Sequence, residues 1–182
     1  MLRSLPRTRD WSPAYRLASI AAFTLSTILA ARISIPLEPV PFTLQPLAVL
    51  LAGLILGSRD GMLSQLAYVA LIALGLPVDA RGLGAAAFAG TTGGYLIGFV
   101  VGAFVAGWLA ERGATRVWSR WLAGVAGVLA IYLCGVPWLK AVTGLSWDAA
   151  IAAGAGAFLL FDVAKAVIAA ALAEGGRRWM ER

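Results

Sequence analysis

The sequence predicts an all-α integral membrane protein, with six membrane-spanning helices in a single domain covering residues 1–182. Of the 182 residues, 60% are hydrophobic and only 13% are charged, whereas a soluble domain carries about 25% charged residues. The apolar residues fall into six runs near the length that a helix needs to cross about 30 Å of hydrocarbon. The basic residues lie at the ends of these runs. Membrane topology and anionic lipid therefore explain the net charge of +6 better than nucleic acid does.

The six apolar runs follow one another with helix-breaking residues between them. In order, they are Leu17–Ile35, Phe42–Gly57, Met62–Leu76, Gly93–Ala110, Trp121–Leu139 and Ala149–Ala173. Pro36, Pro39 and Pro41 crowd the first connection, and a helix does not continue through them. Ser58 to Gly61 predicts a tight turn, and Pro77 to Thr92 a longer connection. The second and third runs are short, so we expect them to tilt little or to be partly re-entrant.

The basic residues predict which side of the membrane each connection faces. Six crossings put both termini on one side, together with eleven of the fifteen basic residues, and leave three on the other side and Lys165 within a span. Cytoplasmic connections carry the excess of Lys and Arg, so both termini are expected in the cytoplasm. The eleven are Arg3, Arg7, Arg9, Arg16, Arg59, Arg112, Arg116, Arg120, Arg177, Arg178 and Arg182, and the three are Arg32, Arg81 and Lys140. The basic N-terminus also resembles a signal peptide, but its removal would leave five spans and spoil this charge balance.

The composition also excludes several kinds of chemistry. The chain has no His, and Cys134 is its single Cys, which rules out a zinc site of His and Cys ligands, an internal disulfide, and Ser-His-Asp or Cys-His catalysis. A nucleotide-binding P-loop needs Lys followed by Ser or Thr, but Ala follows both Lys140 and Lys165. We therefore predict no metal, no cofactor and no enzymatic activity, and any use of ATP would require another chain.

The last apolar run carries an acid and a base where water is scarce. Asp162 and Lys165 are three residues apart, so they share one face of a helix. Charges near the bilayer centre cost a few kcal/mol or more, and they usually face a cavity or a partner. As a ligand site, Asp162 would accept two N–H bonds and Lys165 would donate to an acceptor oxygen. The alternative is an ion pair that only packs helices.

Two connections supply further candidates for a ligand site. In GTTGGYLIGF, Gly93 and Gly94 allow close backbone approach, and Tyr95 offers a ring and a hydroxyl. Helix packing is the alternative here, since Gly94, Gly98 and Gly102 form a stripe of small residues. Polar residues also lie at the mouth of the second helix and in the third–fourth connection. These are Thr43 and Gln45, beside a proline-rich loop able to act as a lid, and Arg81, a donor for a ligand carboxylate.

The first helix carries a strip of small residues at its cytoplasmic end. Ala14, Ala18 and Ala22 recur every fourth residue, which makes a flat surface where another helix can approach closely. Packing within the same chain is one interpretation, and docking of a partner membrane protein is the other.

Four stretches together resemble the BioY family, the biotin-binding S components of energy-coupling-factor (ECF) vitamin transporters. They are VPFTLQPLAVLLAGLILG from Val40, GTTGGYLIGF from Gly90, YLCGVPWL from Tyr132 and FDVAKAVIAAALA from Phe161. The resemblance implies an S-component-like bundle in the cytoplasmic (inner) membrane, and it implies that Asp162 and Lys165 bind biotin. It also implies a transmembrane coupling protein and two ATPase subunits as partners, with the alanine strip as the coupling surface. Self-association into a homo-oligomer is left open.

The chain departs from the family pattern in two places near the expected site. Gly90-Thr91-Thr92 stands where the family often has Gly-Pro-Thr, and Val78-Asp79-Ala80-Arg81-Gly82 stands where Val-Phe and glycines are usual. We expect capture and uptake of biotin, which is a ligand here and not a cofactor. The alternatives are a proton-coupled secondary transporter with Asp162 as the relay, an S component for another vitamin, and, ranked last, a membrane enzyme acting on lipid.

Overall fold

The computed structural model describes residues 12–113 and 117–180, with side chains up to residue 176. Within these ranges the chain is mostly helical, which confirms the all-α class. The elements in order are α1 (Pro13–Arg32), β1 (Ser34–Ile35), β2 (Phe42–Thr43), α2 (Gln45–Ala73), a 3₁₀ turn (Gly84–Phe88), α3 (Gly93–Arg112), α4 (Val117–Thr143), α5 (Trp147–Ile151), a π-helical turn (Ala152–Gly156) and α6 (Leu159–Met180). Arg3, Arg7, Arg9, Arg116 and Arg182, on which the orientation partly depends, lie outside the described residues, as does most of the segment resembling a signal peptide.

Five helical stretches in the described residues are long and apolar enough to cross a membrane. Four of them are α1, α2, α3 and α4, and the fifth runs continuously through α5, the π-helical turn and α6 as Trp147–Gly176. The sequence predicts six runs. The numbers differ because the second and third runs form one helical element, α2, and the predicted turn at Ser58 to Gly61 is itself helical.

The element α2 folds back on itself at Gly57. This residue has φ +83°, in the left-handed region that favours glycine. Gln45 Nε2 donates to the hydroxyl of Tyr68 over 2.7 Å, although residues this far apart in a straight helix would be separated by about 34 Å. The two halves, 45–56 and 58–73, therefore lie antiparallel and in contact.

The glycine stripe of α3 packs against α4. A Cβ atom placed on Gly98 would lie 2.8 Å from the carbonyl oxygen of Ile131, and one on Gly102 would lie 2.9 Å from that of Gly127. Such close approach of two backbones gains dispersion energy where lipid supplies no hydrophobic driving force between helices. The helix-packing interpretation of this stripe is confirmed.

Polar contacts join α1 to the second half of α2. Arg16 makes two hydrogen bonds to the buried carboxylate of Asp60, over 2.7 and 3.0 Å. Further along, Thr24 donates to the carbonyl of Ser64 over 2.9 Å, and Thr27 Oγ1 lies 3.1 Å from Gln65 Nε2. The face of α1 towards the bundle is therefore polar, and its opposite face is exposed.

The connections at one end of the bundle close over its interior. β1 and β2 form a two-stranded antiparallel sheet that pairs Ser34 with Thr43. We call residues 33–44, which contain this sheet, the outer connection. Thr91 Oγ1 donates to the carbonyl of Pro39 over 2.6 Å, so the outer connection is tied to the segment that precedes α3. These connections frame the candidate site.

Candidate functional site

A cavity of about 620 Å³, including its open mouth, lies beneath the outer connection. Its walls come from the outer connection, the start of α2, the Pro77–Thr92 connection, α3, α4 and the last helix. The lining residues are Val40, Pro41, Phe42, Thr43, Gln45, Pro46, Asp79, Ala80, Arg81, Thr92, Tyr95, Leu96, Phe99, Ile131, Tyr132, Phe158, Asp162 and Lys165. Apolar walls with a few converging polar groups are typical of a small-molecule site.

A buried polar cluster forms one side of the cavity. Lys165 Nζ lies 2.6 Å from Asp162 Oδ1, and both residues are about 5% exposed. Tyr132 donates its hydroxyl to the other carboxylate oxygen, Asp162 Oδ2, over 2.6 Å. Each carboxylate oxygen has two lone-pair sites, so Asp162 keeps acceptor capacity for donors that enter the cavity.

The same lysine reaches the outer connection. Lys165 Nζ donates to the backbone carbonyl of Thr43 over 2.8 Å and lies 4.1 Å from the centre of the Phe42 ring. The Phe42 ring stacks on Phe158 with 6.4 Å between ring centres and meets the edge of Phe161. The charged cluster is thus covered by aromatic rings, which can also flank a flat ligand ring.

A second polar group lies at the start of α2. The backbone N–H of Gln45 donates to Thr43 Oγ1 over 3.2 Å, and the Gln45 side chain donates to the Tyr68 hydroxyl. The Tyr68 hydroxyl donates in turn to the carbonyl of Val78 over 3.3 Å. Because Gln45 and Tyr68 belong to opposite halves of α2, the chain reversal at Gly57 is what brings this group together.

Tyr95 is held by the π-helical turn before α6. Its hydroxyl donates to the carbonyl of Gly154 over 2.8 Å. Its ring lies against Gly135 of α4, where any Cβ atom would collide with it. A π-helical turn leaves backbone carbonyls outside the usual helical pattern and is frequent at functional sites. Here the turn fixes the orientation of an aromatic wall of the cavity.

Arg81 lies at the mouth of the cavity. Its guanidinium donates to Glu38 Oε2 over 3.1 Å and to the carbonyl of Pro39 over 3.0 Å. The buried carboxylate of Asp79 accepts from the backbone N–H groups of Arg81 and Gly84, over 3.1 and 2.8 Å. Asp79 therefore shapes the loop that presents Arg81.

The structure gathers six of the eight predicted ligand residues around this one cavity. They are Thr43, Gln45, Arg81, Tyr95, Asp162 and Lys165. Gly93 and Gly94 lie instead at the α3–α4 contact, where a Cβ atom on either would collide with Trp138. The three residues of the alanine strip on α1 are exposed, on the face away from the bundle.

Several cavity residues were not proposed from the sequence, among them Phe42, Asp79 and Tyr132. Phe42 and Tyr132 are aromatic residues within or beside apolar runs, where an aromatic residue usually signals packing. Asp79 belongs to a connection, where most charged side chains are solvated, but it is buried. The usable signal was the hydroxyl of Tyr132 within a membrane span, because a buried phenol needs a hydrogen-bond partner. Across the described residues, no group of three or more His, Cys, Asp or Glu could hold a metal ion.

Comparison with known proteins gives consistent matches over nearly the whole chain. A family model described as "BioY family" matches residues 5–182. The "Biotin transporter BioY" of Thermotoga maritima is 45% identical over 87% of this chain and 93% of its own length. The protein of the same name from Rhizobium etli is 40% identical over 85% of this chain and 87% of its own length.

A solved structure matches the fold as well. It is the crystal structure at 2.1 Å of the S-component for biotin from an ECF-type ABC transporter. It aligns with a TM-score of 0.84 and 26% sequence identity, over 91% of this chain and 92% of that chain. The bundle and its outer connections therefore follow a known arrangement.

Proposed function

The chain belongs to the BioY family, and from this premise we propose that it captures biotin outside the cell and moves it inward as the substrate-specific component of an ECF-type transporter. It is a multi-pass membrane protein that transports a ligand, and it is not an enzyme. Biotin is the transported ligand rather than a cofactor. The cytoplasmic membrane is the location that this role requires.

The observation that carries the proposal is the buried carboxylate in an otherwise largely apolar cavity. The ureido ring of biotin has two N–H donors, and Asp162 retains acceptor capacity on both oxygens. Lys165 Nζ lies 2.6 Å from one of these oxygens, Asp162 Oδ1. Phe42, Phe158 and Tyr95 provide apolar walls for the sulfur-containing ring and the aliphatic tail.

Arg81 is the proposed partner of the ligand carboxylate. It lies at the mouth of the cavity, and its guanidinium already binds the carboxylate of Glu38 over 3.1 Å. A guanidinium fork fits a carboxylate with two parallel hydrogen bonds. Biotin would then lie with its ring against Asp162 and its tail pointing towards the mouth. Thr43, in the outer connection, and Gln45, at the start of α2, would also contact the ligand in this cavity.

We assign six membrane crossings by counting the two halves of α2 separately. Because the chain reverses at Gly57, the N-terminal end of α1 and the C-terminal end of the last helix lie on the same side of the bundle. The excess of basic residues at that side supports a cytoplasmic location for both termini. The cavity mouth then faces outward, as capture from outside requires. Residues 1–182 are treated as one domain.

The proposed partners are a transmembrane coupling protein and two ATPase subunits. The exposed strip of Ala14, Ala18 and Ala22 is the proposed contact for the coupling protein, because small residues let a second helix approach closely. The absence of a P-loop agrees with ATP hydrolysis on another chain.

Equilibrium binding to the purified protein tests the proposed ligand. We expect biotin to bind at least a hundredfold more tightly than thiamine or riboflavin. Asp162→Asn should abolish tight binding, because each hydrogen bond from the ligand to a charged acceptor contributes about 1.5–3 kcal/mol, or roughly one to two decades of affinity. Asp148→Asn, an exposed position in α5, is the matched control. Equal binding of all three vitamins, or wild-type affinity in Asp162→Asn, contradicts the proposal.

Uptake under two kinds of energy depletion tests the ATPase partners. With the partner subunits present, uptake should stop on ATP depletion and continue when an uncoupler removes the proton gradient. The reverse result would favour proton-coupled transport with Asp162 as the relay.

A further inference from the structure

Of the helical stretches in the described residues that could cross a membrane, α1 is the least buried. Only 22% of its apolar window is buried, compared with 56% for each of α2, α3 and α4. Lipid supplies no hydrophobic driving force between helices, so packing and hydrogen bonds must hold them together. Because α1 has little packing surface, its orientation depends strongly on its polar contacts.

These polar contacts lie on a single face of α1. The residues that make them, which we call the polar seam, are Arg16, Thr24 and Thr27 on α1 and Asp60, Ser64 and Gln65 on the second half of α2. At about 100° per residue, the three members on α1 fall within an arc of about 80°. The polar seam therefore fits one rotational orientation of α1 about its own axis.

The alanine strip lies on the opposite side of the same helix. Arg16 is two residues from Ala14 and two from Ala18, which corresponds to about 200° around the helix. The alanines are exposed, whereas Thr24 and Thr27 are buried. A rotation of α1 by about 100°, the angle of one residue, would break the polar seam and turn the strip away from its outward direction.

The contact between Arg16 and Asp60 is the most restrictive part of the polar seam. Arg16 Nε donates to Asp60 Oδ2 over 3.0 Å and Nη2 donates to Oδ1 over 2.7 Å. Such a fork of two bonds adds directional specificity as well as energy. The Asp60 side chain is 2% exposed and that of Arg16 is 28% exposed. A buried ion pair is often no more stabilising than apolar residues of similar volume, and its best-attested use is to select one arrangement of helices.

We propose that Arg16 and Asp60 are positioning residues that set the rotational orientation of α1, and through it the face that the chain offers to the coupling protein. Their main effect is on this orientation and not on the stability of the fold. Among the described residues, those that line the ligand cavity include no member of the polar seam, so loss of the contact should leave ligand affinity unchanged. The consequence for uptake rests on the proposed function, whereas the orientation itself does not.

The distance between two spin labels tests the orientation without ligand or partners. The labels are attached at Leu25→Cys on α1 and Leu66→Cys on α2, at residues that are 60% and 48% exposed, in a Cys134→Ala background. A rotation of about 100° moves a side-chain tip that lies about 5 Å from the helix axis by about 8 Å. We expect one narrow distance distribution in this reference protein. In Arg16→Met/Asp60→Leu the distribution should shift or broaden by at least about 4 Å, half of that movement, while the midpoint of thermal unfolding stays within a few degrees.

Two further variants separate orientation from a general loss of charge. Arg120→Met/Glu174→Leu makes the same replacement at the ion pair between α4 and α6, where both side chains are 5% exposed. This distant change should leave the label distances unchanged and uptake within about twofold. Arg16→Lys keeps the positive charge but loses the fork, so it should broaden the distribution even if the double variant folds poorly. A reference-like distribution in a folded Arg16→Met/Asp60→Leu, or in Arg16→Lys where the double variant does not fold, overturns the proposal.

Uptake measured beside binding tests the consequence for the coupling protein. In cells that contain the partner subunits, Arg16→Met/Asp60→Leu should take up biotin at least about fivefold more slowly, because close helix approach needs the small residues to face the partner. The purified variant should bind biotin with a Kd within about twofold of the wild type, since sites that share no partners act independently. A parallel loss of uptake and binding would mark a destabilised fold and overturn the proposal, as would normal uptake despite an altered distance distribution. If the wild type neither binds nor takes up biotin, the proposed function fails, and the label distance still decides the orientation.

Discussion

Tyr132 fixes the carboxylate on which the proposed site depends. Its hydroxyl donates to Asp162 Oδ2 over 2.6 Å from the neighbouring helix α4, while Lys165 holds the other oxygen. The carboxylate is therefore held from two helices, with its remaining lone pairs directed by that geometry. Such preorganisation increases affinity because less ordering is needed on binding.

Removal of the Tyr132 hydroxyl should weaken biotin binding without preventing folding. In Tyr132→Phe, Asp162 loses a hydrogen bond to a charged group, which contributes about 1.5–3 kcal/mol. We expect roughly a tenfold or greater loss of affinity, measured by calorimetry in detergent. Tyr15→Phe, at a residue 72% exposed on α1, should bind like the wild type. Unchanged affinity in Tyr132→Phe would show that the hydroxyl is only a packing contact.

Arg81 should determine whether the ligand needs a carboxylate. In Arg81→Ala we expect about tenfold weaker binding of biotin, since one charge-assisted pair is lost at a partly exposed site. Binding of the biotin alcohol, which lacks the carboxylate, should change less than about twofold. Arg59→Ala, at an exposed position beside the chain reversal at the other end of the bundle, is the matched control. Equal losses for biotin and its alcohol would remove Arg81 from the role of carboxylate partner.

For individual residues, the sequence predicted the charged members of the site better than the aromatic ones. Asp162 and Lys165 could be found because an ionised group in a membrane span is energetically costly and usually faces a cavity or a partner. Tyr132 carries no charge, so its signal is weaker: only its hydroxyl, which needs a hydrogen-bond partner when buried, distinguishes it from a packing residue. The contact between Lys165 and Thr43 could not be predicted, because it depends on how a connection 122 residues away folds back over the helix.

Among the helical elements, α2 depends most strongly on a single residue. Gly57 has φ +83°, and a Cβ atom there would also collide with the carboxylate of Glu111. Glu111 in turn accepts from the backbone N–H and the hydroxyl of Ser58, over 2.7 and 3.0 Å. The reversal between the two halves is thus fixed by backbone conformation and by a cap from α3.

Gly57→Ala should destabilise the folded protein. A side chain at this φ is strained, and the collision with Glu111 adds to the cost, so we expect a loss of at least about 1–2 kcal/mol. The measurement is thermal unfolding in detergent, where the midpoint should fall by several degrees. Gly175→Ala, where a Cβ atom meets nothing within 4 Å, should leave the midpoint unchanged or slightly raised. A wild-type midpoint in Gly57→Ala would refute the importance of this conformation.

The exposed face of α1 should matter for uptake and not for binding. Ala18→Trp places a bulky ring on the alanine strip, where close approach of a partner helix needs small residues. We expect uptake in cells that contain the partner subunits to fall at least about fivefold, while the purified variant binds biotin normally. Leu17→Trp, next to it but 68% exposed on a different face, should transport like the wild type. Normal uptake by Ala18→Trp would assign the docking surface elsewhere.

The helices themselves were well predicted, and their connections were not. Each apolar run corresponds to a helix or to half of one, because bilayer-length hydrophobicity is a strong signal. The chain reverses at Gly57 and not at the predicted turn, Ser58 to Gly61, which is helical. A reversal made by a single left-handed residue leaves no cluster of turn-forming residues in the sequence. The π-helical turn at Ala152–Gly156 has no sequence signal in this Ala- and Gly-rich stretch.

For the molecule as a whole, the two ends of the bundle differ in what they carry. The outer connection, the Arg81 loop and the cavity mouth share one end, whereas Gly57 and the end of α3 lie at the other. In the proposed orientation, which rests on the basic residues, the first end faces the outside. The proposed count of six crossings comes from the five apolar helical stretches, with the two halves of α2 counted separately.

Labelling of single cysteines should reveal this orientation. In a background with Cys134 replaced by Ala, Leu37→Cys on the outer connection should react with a membrane-impermeant maleimide in intact cells. Gly113→Cys, at the end of α3, should react only after lysis. Both positions are exposed, so accessibility alone does not separate them. Labelling of Gly113→Cys in intact cells would invert the proposed topology.

The polar seam between α1 and the second half of α2 constrains how the chain enters the membrane during synthesis. Asp60, Ser64 and Gln65 are all buried, and their partners Arg16, Thr24 and Thr27 all come from α1. A nascent segment 58–73 released by the translocon alone would expose these groups to acyl chains. The ribosome synthesises α1 before this segment. The polar side chains of α1 are therefore already present to form hydrogen bonds with segment 58–73 as it enters the membrane.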